Sequence, residues 1–160
     1  MTEESLTYTA YHEAGHAVAS FFLNRPFDSV SIIPDENTSG RLAQEPYEGN
    51  TRSIIRKEII ISCAGEIAEI LVHEDWNYLS IHNPSSDYDL LYIEDLAARI
   101  YKTRERRNVF LIELRKEAMG LILSQEWTTA INALAHALLK YEQLDYEQTA
   151  KVIRMSAFDE

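Results

Sequence analysis

The stretch of sequence that decides the fold is Tyr8-Thr-Ala-Tyr-His-Glu-Ala-Gly-His-Ala-Val18, a run made mostly of good helix formers. Residues four apart lie one turn above the other on a helix, so His12 and His16 can present two imidazoles to one cation. Zn²⁺ accepts imidazole nitrogen readily, and a catalytic zinc site has three protein ligands and one open position. The spacing therefore predicts a zinc site on this helix.

Glu13 directly follows the first histidine and can reach a water at the metal without occupying the metal itself. There it would take the proton from the water as the water attacks a carbonyl, then pass the proton to the leaving amine. Gly15 costs the helix roughly 1 kcal/mol relative to alanine, which is easier to justify if another group must approach the helix closely. The pattern favours metal binding over a helix whose two histidines merely pack or face water.

Spacing alone leaves the third ligand open, because the chain offers several donors: His73, His82, His136, Glu66, Glu69, Asp87 and Asp89. His136 stands in an apolar helical run and is predicted to be a packed helix residue, whereas His82 is predicted to lie in a surface loop. Glu66 and Glu69 occupy a predicted helix that is otherwise dense in apolar residues. They lie either at a solvated edge or behind the metal site, where a carboxylate can orient an imidazole.

Composition limits the fold and the partners. The 160 residues suit one domain, residues 1–160, and carry a net charge of −11, which disfavours nucleic acid and anionic lipid as partners. The single cysteine, Cys63, excludes an internal disulfide framework. The acidic N-terminus does not resemble a signal peptide, and no apolar run is long enough to cross a bilayer. We expect a cytoplasmic protein without membrane insertion.

Outward from the histidine helix, the pattern predicts a mainly α, α+β domain with a small β-sheet near its N-terminal third. The first helix runs from Leu6 to about Phe22, and short strands follow at Phe27 to Ile33 and Arg41 to Gln44. The loop expected between His73 and Ser85 interrupts a helical remainder. The further helices are predicted at 51–72, 86–100, 109–123 and 128–141, with a last one after the capping box Asp145-Tyr-Glu-Gln148.

Four stretches resemble, in order and rough spacing, the peptidase domain of the FtsH family of AAA proteases. They are Thr9 to Val18, Val30-Ser-Ile-Ile-Pro34, Ala64-Gly-Glu-Ile-Ala-Glu69 and Ser85-Ser-Asp-Tyr-Asp-Leu90. The resemblance implies a zincin-like fold in which His12 and His16 bind zinc and Glu13 is the general base. It also implies a third zinc ligand at the position of Asp89, and it matches Glu69 to a family glutamate near the metal-site helix.

The segment that would supply the third ligand departs from the family pattern. It reads Asn83-Pro-Ser-Ser-Asp-Tyr-Asp89, where the family usually has Ser-x-Gly-x-x-Asn-Asp, so Asp87 competes with Asp89. Side chains two residues apart in a helical turn point about 200° apart, and only one of these two can face the metal.

The sequence predicts a zinc metalloendopeptidase that cleaves unfolded or flexible polypeptides without ATP, because no Gly-x-x-x-x-Gly-Lys-Ser/Thr loop occurs in it. The family resemblance implies a hexameric homo-oligomer. A substrate could add as a strand along Ser29 to Ile33 or Gly40 to Gln44, unless these strands only pair with each other. The alternative function is a non-hydrolytic polypeptide-binding or regulatory module that keeps the peptidase fold. Glu13 favours the enzyme, since a module without catalysis needs no base beside the metal.

Overall fold

A computed structural model describes residues 2–36, 38–73 and 87–158. The described helices and strands are, in order, α1 (Glu3–Phe22), β1 (Ser29–Ser31), β2 (Arg41–Ala43), α2 (Arg52–Ala68), α3 (Ile70–His73), α4 (Asp87–Ala98), α5 (Arg104–Ile122), α6 (Gln125–Tyr141), β3 (Gln143–Asp145) and α7 (Tyr146–Ser156). The predicted class, a mainly helical α+β fold, is confirmed.

Helix α1 is the centre of the molecule, and every residue from Ala10 to Ser20 is buried. It packs against α2 on one side and α6 on another. The helix begins at Glu3, three residues before the predicted start, because the side chain of Thr2 caps it by accepting the Ser5 N–H. The histidine motif is thus held in the buried part of the central helix.

The core is formed by aliphatic side chains from five helices that meet around α1 and α2. Its largest fully buried members are Val18, Ile55, Ile59, Ile67, Leu96, Leu114, Ile122, Ile131, Leu134 and Leu138. Helix α4 packs chiefly on α2 and α5. Among the described helices, none combines the length and apolar character that a membrane crossing requires.

The three described strands form one antiparallel sheet in the order β2-β1-β3. Val30 at its centre lies opposite Leu42 on one side and Leu144 on the other. The prediction of a sheet drawn from the N-terminal third alone is incomplete, since β3 comes from the C-terminal part of the chain. The idea that Ser29 to Ile33 offers a free edge is wrong, because both sides of β1 are paired.

The helical predictions agree with the structure apart from their ends. The helix predicted to reach Val72 breaks after Ala68 and resumes as the short α3, while α5 and α6 begin earlier than predicted. The capping box at the start of α7 is present, with Asp145 and Gln148 bonding each other's backbone N–H. The loop predicted between His73 and Ser85 lies outside the described residues, apart from His73, which ends α3.

Candidate metal centre

His12 and His16 lie on the buried face of α1 that meets α2, and each is less than a tenth exposed. Their Nε2 atoms are 3.1 Å apart. The i, i+4 spacing produces this convergence, because it stacks the two side chains on one helix face. The two imidazole nitrogens thus point at one spot, as the sequence predicts.

The other nitrogen of each imidazole has a partner outside α1. His16 Nδ1–H donates to the backbone carbonyl oxygen of Ile61 on α2, at 2.7 Å, and His12 Nδ1 lies 3.5 Å from Glu69 Oε2. A carbonyl oxygen only accepts, so Nδ1 of His16 carries the proton and its Nε2 keeps a free lone pair. Such partners orient metal-binding imidazoles and fix their tautomers.

Asp89 brings the third donor from α4. Its Oδ2 atom lies 3.4 Å from His12 Nε2 and 3.2 Å from His16 Nε2. These three residues offer ligand atoms that all lie within 4.8 Å of one another. Two imidazole nitrogens and a carboxylate oxygen, with room for one more ligand, are a donor set typical of catalytic zinc.

Charges inside the site stabilise a cation there. Burial would lower the pKa of His12, but hydrogen bonds to Asp89 and Glu69 hold it well above its ordinary value. Burial would likewise raise the pKa of the Asp89 carboxyl, but the two imidazoles hold it well below its usual range. The buried carboxylates therefore favour positive charge where the imidazole nitrogens converge, which suits a metal ion.

Two glycines make room for the site. A Cβ atom on Gly65 of α2 would lie 2.4 Å from His16 Nε2 and 2.8 Å from His12 Nε2, so only glycine leaves these atoms unobstructed. A Cβ atom on Gly15 would lie 2.5 Å from the carbonyl oxygen of Ala64. The close approach expected at Gly15 is therefore made by α2 itself and not by a metal.

Glu13 is buried next to the two motif histidines. Burial raises the pKa of its carboxyl, while the charges of His12 and His16 lower it, and the net shift is upward. A Cβ atom on Gly40, the residue before β2, would lie 3.0 Å from Glu13 Cγ. The Glu13 side chain thus passes close to the sheet, and the raised pKa of its carboxyl suits a group that both accepts and donates a proton.

The remaining candidates from the sequence lie elsewhere or outside the description. Glu66 is buried and not at a solvated edge, and both of its oxygens accept from Arg115 on α5, at 3.2 Å each. His136 is exposed on α6, so the prediction that it packs within the helix is wrong. His82 and the side chains of His73 and Asp87 lie outside the described part of the structure.

Sequence reasoning missed two contributors to this centre, the Ile61 carbonyl and Gly65. No side-chain pattern can reveal a backbone carbonyl that accepts from a histidine. Gly65 could have been noticed in the sequence, because a glycine inside a helix costs about 1 kcal/mol relative to alanine and is expected to have a structural role. Its role is to leave open the space near both imidazoles that a Cβ atom would fill.

The sheet presents one edge beside the site. Ile32 N–H donates to the Glu142 carbonyl and Tyr146 N–H to that of Asp28, so Val30 also directs its backbone groups toward β3. The backbone N–H and C=O groups of its neighbours Ser29 and Ser31 then point toward β2. Leu42 lies opposite Val30, so the N–H and C=O of Leu42 point away from β1. Among the strands that the structure describes, β2 is thus an edge strand with unpaired backbone groups.

The sequence profile of peptidase family M41 matches residues 1–99, which include the histidine motif and Asp89. The chain belongs to peptidase family M41. The resemblance to the FtsH peptidase domain is thereby confirmed. The M41 match ends within the segment that follows α4, and relatives aligned over 92% and 96% of this chain extend the similarity over the C-terminal helices.

Among curated relatives, the ATP-dependent zinc metalloprotease FtsH of Ruminiclostridium cellulolyticum is 40% identical over 80 residues, covering 47% of this chain and 13% of the relative. FtsH 2 of Methylacidiphilum infernorum is 25% identical over 193 residues, covering 96% and 30%. The FTSH 9 protein of Oryza sativa subsp. japonica, named chloroplastic/mitochondrial, is 24% identical over 172 residues, covering 92% and 22%. The chain spans less than a third of the length of each of these relatives.

Proposed function

We propose that residues 1–160 form one zinc peptidase domain that hydrolyses internal peptide bonds. His12, His16 and Asp89 hold the zinc, Glu13 is the general base and acid, and Glu69 orients His12. The observation that carries the proposal is the convergence of three donors from α1 and α4 within 4.8 Å, at a point that Gly65 leaves clear. The donor chemistry fits zinc, and the curated relatives are named zinc metalloproteases.

Each side chain then has one role in hydrolysis. Bound zinc supplies a Lewis acid that polarises the scissile carbonyl and acidifies a water. A carboxylate oxygen of Glu13 accepts the proton as this water attacks, and the same oxygen returns the proton to the amine that leaves. Ile61 and Glu69 keep the protons of His16 and His12 on Nδ1, so that both Nε2 lone pairs face the metal.

Glu13 also supports hydrolysis over the alternative of a non-hydrolytic binding module. Burying a carboxyl costs free energy, so a buried glutamate that has no role in stability calls for a role in function. Glu13 is 7% exposed and lies beside the donors of the metal site. A module that only bound polypeptides would gain nothing from a proton acceptor at that position.

The substrate we propose is an unfolded or flexible polypeptide that adds as a strand along β2. Leu42 directs an N–H and a C=O toward such a strand, and Gly40, the residue before β2, lies close to the Glu13 side chain. Main-chain hydrogen bonds of this kind bind many sequences, because they do not depend on the side chains of the guest. A folded protein cannot offer the required extended segment.

Nucleotide is not needed for this chemistry. The 160 residues contain no Gly-x-x-x-x-Gly-Lys-Ser/Thr loop, and both proton transfer and metal binding are supplied by the side chains named above. We propose that the domain cleaves an accessible polypeptide without ATP.

The test compares Glu13→Gln with the wild-type protein and with Glu126→Gln, which changes an exposed glutamate of α6. The amide cannot accept a proton, so cleavage of a reduced, carboxymethylated protein should fall about 10²–10⁴-fold. Zinc content should stay near one per chain in all three proteins. The Glu126 variant should match the wild type, and a chelator should abolish cleavage.

Wild-type rates in Glu13→Gln would contradict the assigned mechanism. Polypeptide binding without any cleavage by zinc-loaded wild-type protein would favour the binding module instead.

A further inference from the structure

The third zinc donor lies on a helix whose main packing partners do not include the histidine helix. Asp89 is in the first turn of α4, which packs on α2 and α5. Helix ends fray, and a metal requires its donors to be placed within a few tenths of an ångström. Contacts of α4 with α2, and with the loop that flanks α2, must therefore hold Asp89 in place relative to the histidines.

One side chain of α4 makes such contacts close to Asp89. Tyr92, one turn further along, donates its hydroxyl to Glu58 Oε1 on α2 at 2.8 Å. The same hydroxyl accepts the backbone N–H of Tyr47, at 2.9 Å. Burial raises the pKa of Tyr92 to about 12, so the hydroxyl keeps its proton and can donate throughout the physiological range.

Glu58 is fixed in turn by Arg25, which lies three residues after the end of α1 and donates its backbone N–H to the carbonyl oxygen of Ser20 at 2.8 Å. Glu58 is 3% exposed, and its oxygens accept from Arg25 Nε at 2.9 Å and Arg25 Nη2 at 3.1 Å. Arg25 also donates to the carbonyl oxygen of Glu45. A bidentate pair with arginine has a defined geometry. The Glu58 carboxylate, which accepts the hydrogen bond from the Tyr92 hydroxyl, is thus held in a fixed position relative to α1.

We infer that Tyr92 is a positioning residue for the metal centre: through Glu58 and Arg25 it ties α4 to the histidine helix and so sets Asp89 against His12 and His16. The inference rests on the proposed zinc site and adds to it a residue that touches neither metal nor substrate. Arg99, which directly follows α4, donates to the carbonyl oxygens of Tyr47 and Gly49 and secures the far end of the helix.

The experiment measures zinc affinity of Tyr92→Phe by competition with a chromophoric chelator, together with the melting temperature of the metal-free protein. The phenyl ring keeps the packing and removes only the hydroxyl, so we expect a folded protein with about tenfold weaker zinc binding. The matched control is Tyr11→Phe, which removes a tyrosine hydroxyl that donates to Asn132 Oδ1 on α6 at 2.7 Å. It should lower the melting temperature comparably and leave zinc affinity within about twofold.

A double-mutant cycle separates positioning from a general loss of stability. If Tyr92 acts through Asp89, then Tyr92→Phe should change zinc affinity by less than about twofold in an Asp89→Ala background. An equal loss in both backgrounds would overturn the inference, and so would wild-type zinc affinity in Tyr92→Phe alone. With either of these two results, the proposed function would still stand as long as the wild-type protein binds zinc. Absence of zinc binding by the wild type would overturn both.

Discussion

Asp89 is the residue on which the proposed zinc site depends most, because it is the one proposed donor that α1 does not supply. Its Oδ2 atom contacts both Nε2 atoms, and the imidazoles lower the pKa of its carboxyl despite burial. The carboxylate therefore stays ionised at a lower pH than a free aspartate would. Two histidines without it would hold a metal ion far less tightly.

Replacing Asp89 by alanine should weaken zinc binding by about 100-fold or more, because it removes one of three ligands. Asp87→Ala is the control and should bind zinc as the wild type does, since Asp89 already completes the donor set. Competition with a chelator measures both affinities. If Asp87→Ala were the variant that loses zinc, the assignment of the third ligand would be wrong.

The sequence predicted the histidine pair from spacing, but it could not derive Asp89 in that way. His12 and His16 belong to one helix, where four residues equal one turn, whereas Asp89 reaches them across the packing of α4 on α2. Glu66 and Glu69 show the same limit. Both are buried, yet one pairs with Arg115 and the other lies beside His12, and only the tertiary arrangement distinguishes them.

At the scale of elements, the contact between α1 and α2 is unusually close because small residues line it. Gly15 meets Ala64 and Ala68, while Gly65 meets the imidazoles of His12 and His16. The two glycines thus act differently, since one sets the distance between the helices and the other sets the room for the site.

Three alanine substitutions should separate these effects. Gly15→Ala should lower the free energy of unfolding by about 1–3 kcal/mol, because its Cβ atom would collide with the backbone of α2. Gly65→Ala should weaken zinc binding about tenfold or more, because its Cβ atom would lie between the imidazole nitrogens. Denaturant unfolding of the metal-free protein and chelator competition measure the two quantities.

Gly120→Ala is the matched control. A Cβ atom there meets nothing within 4 Å, so the change should raise the unfolding free energy by about 0.4–1 kcal/mol and leave zinc affinity unchanged. If Gly15→Ala, Gly65→Ala and Gly120→Ala were equally stable, the short distance between α1 and α2 would not be the reason why a glycine is needed at Gly15.

Periodicity predicted the long helices because each buries a regular apolar stripe, but it could not predict β3. Gln143–Asp145 has three residues with one buried side chain, Leu144, and its pairing partner lies more than a hundred residues away. A strand that short is defined by its partner and not by its own sequence. The capping box that begins at Asp145, the last residue of β3, was predictable because its two partners are local.

At the scale of the whole molecule, the proposed activity draws only on substrate binding and the metal site. The proposed peptidase would cut a chain that is already extended, and its 160 residues contain no Gly-x-x-x-x-Gly-Lys-Ser/Thr loop to hold nucleotide phosphates. Cleavage of a folded substrate should then follow the population of its open form.

A folded reporter protein and a destabilised point variant of it test this expectation. The variant should be cleaved faster in proportion to its larger open population, and ATP with Mg²⁺ should change neither rate beyond its effect on free zinc. Gel-based time courses with and without nucleotide provide the measurement. Equal rates on both reporters would reveal an unfolding activity that the proposal does not contain.

Strand β2 carries a further consequence for how the protein behaves at high concentration. An edge that accepts a guest strand also invites the same edge of another copy, which is how many β proteins begin to aggregate. Here the edge strand has only three residues and starts with the exposed Arg41, and copies that each carry a net charge of −11 repel one another. Solubility favours an edge strand that pairs poorly with other copies, whereas the proposed capture of substrate requires an edge strand that can pair. A strand of three residues that begins with a charged side chain is compatible with both.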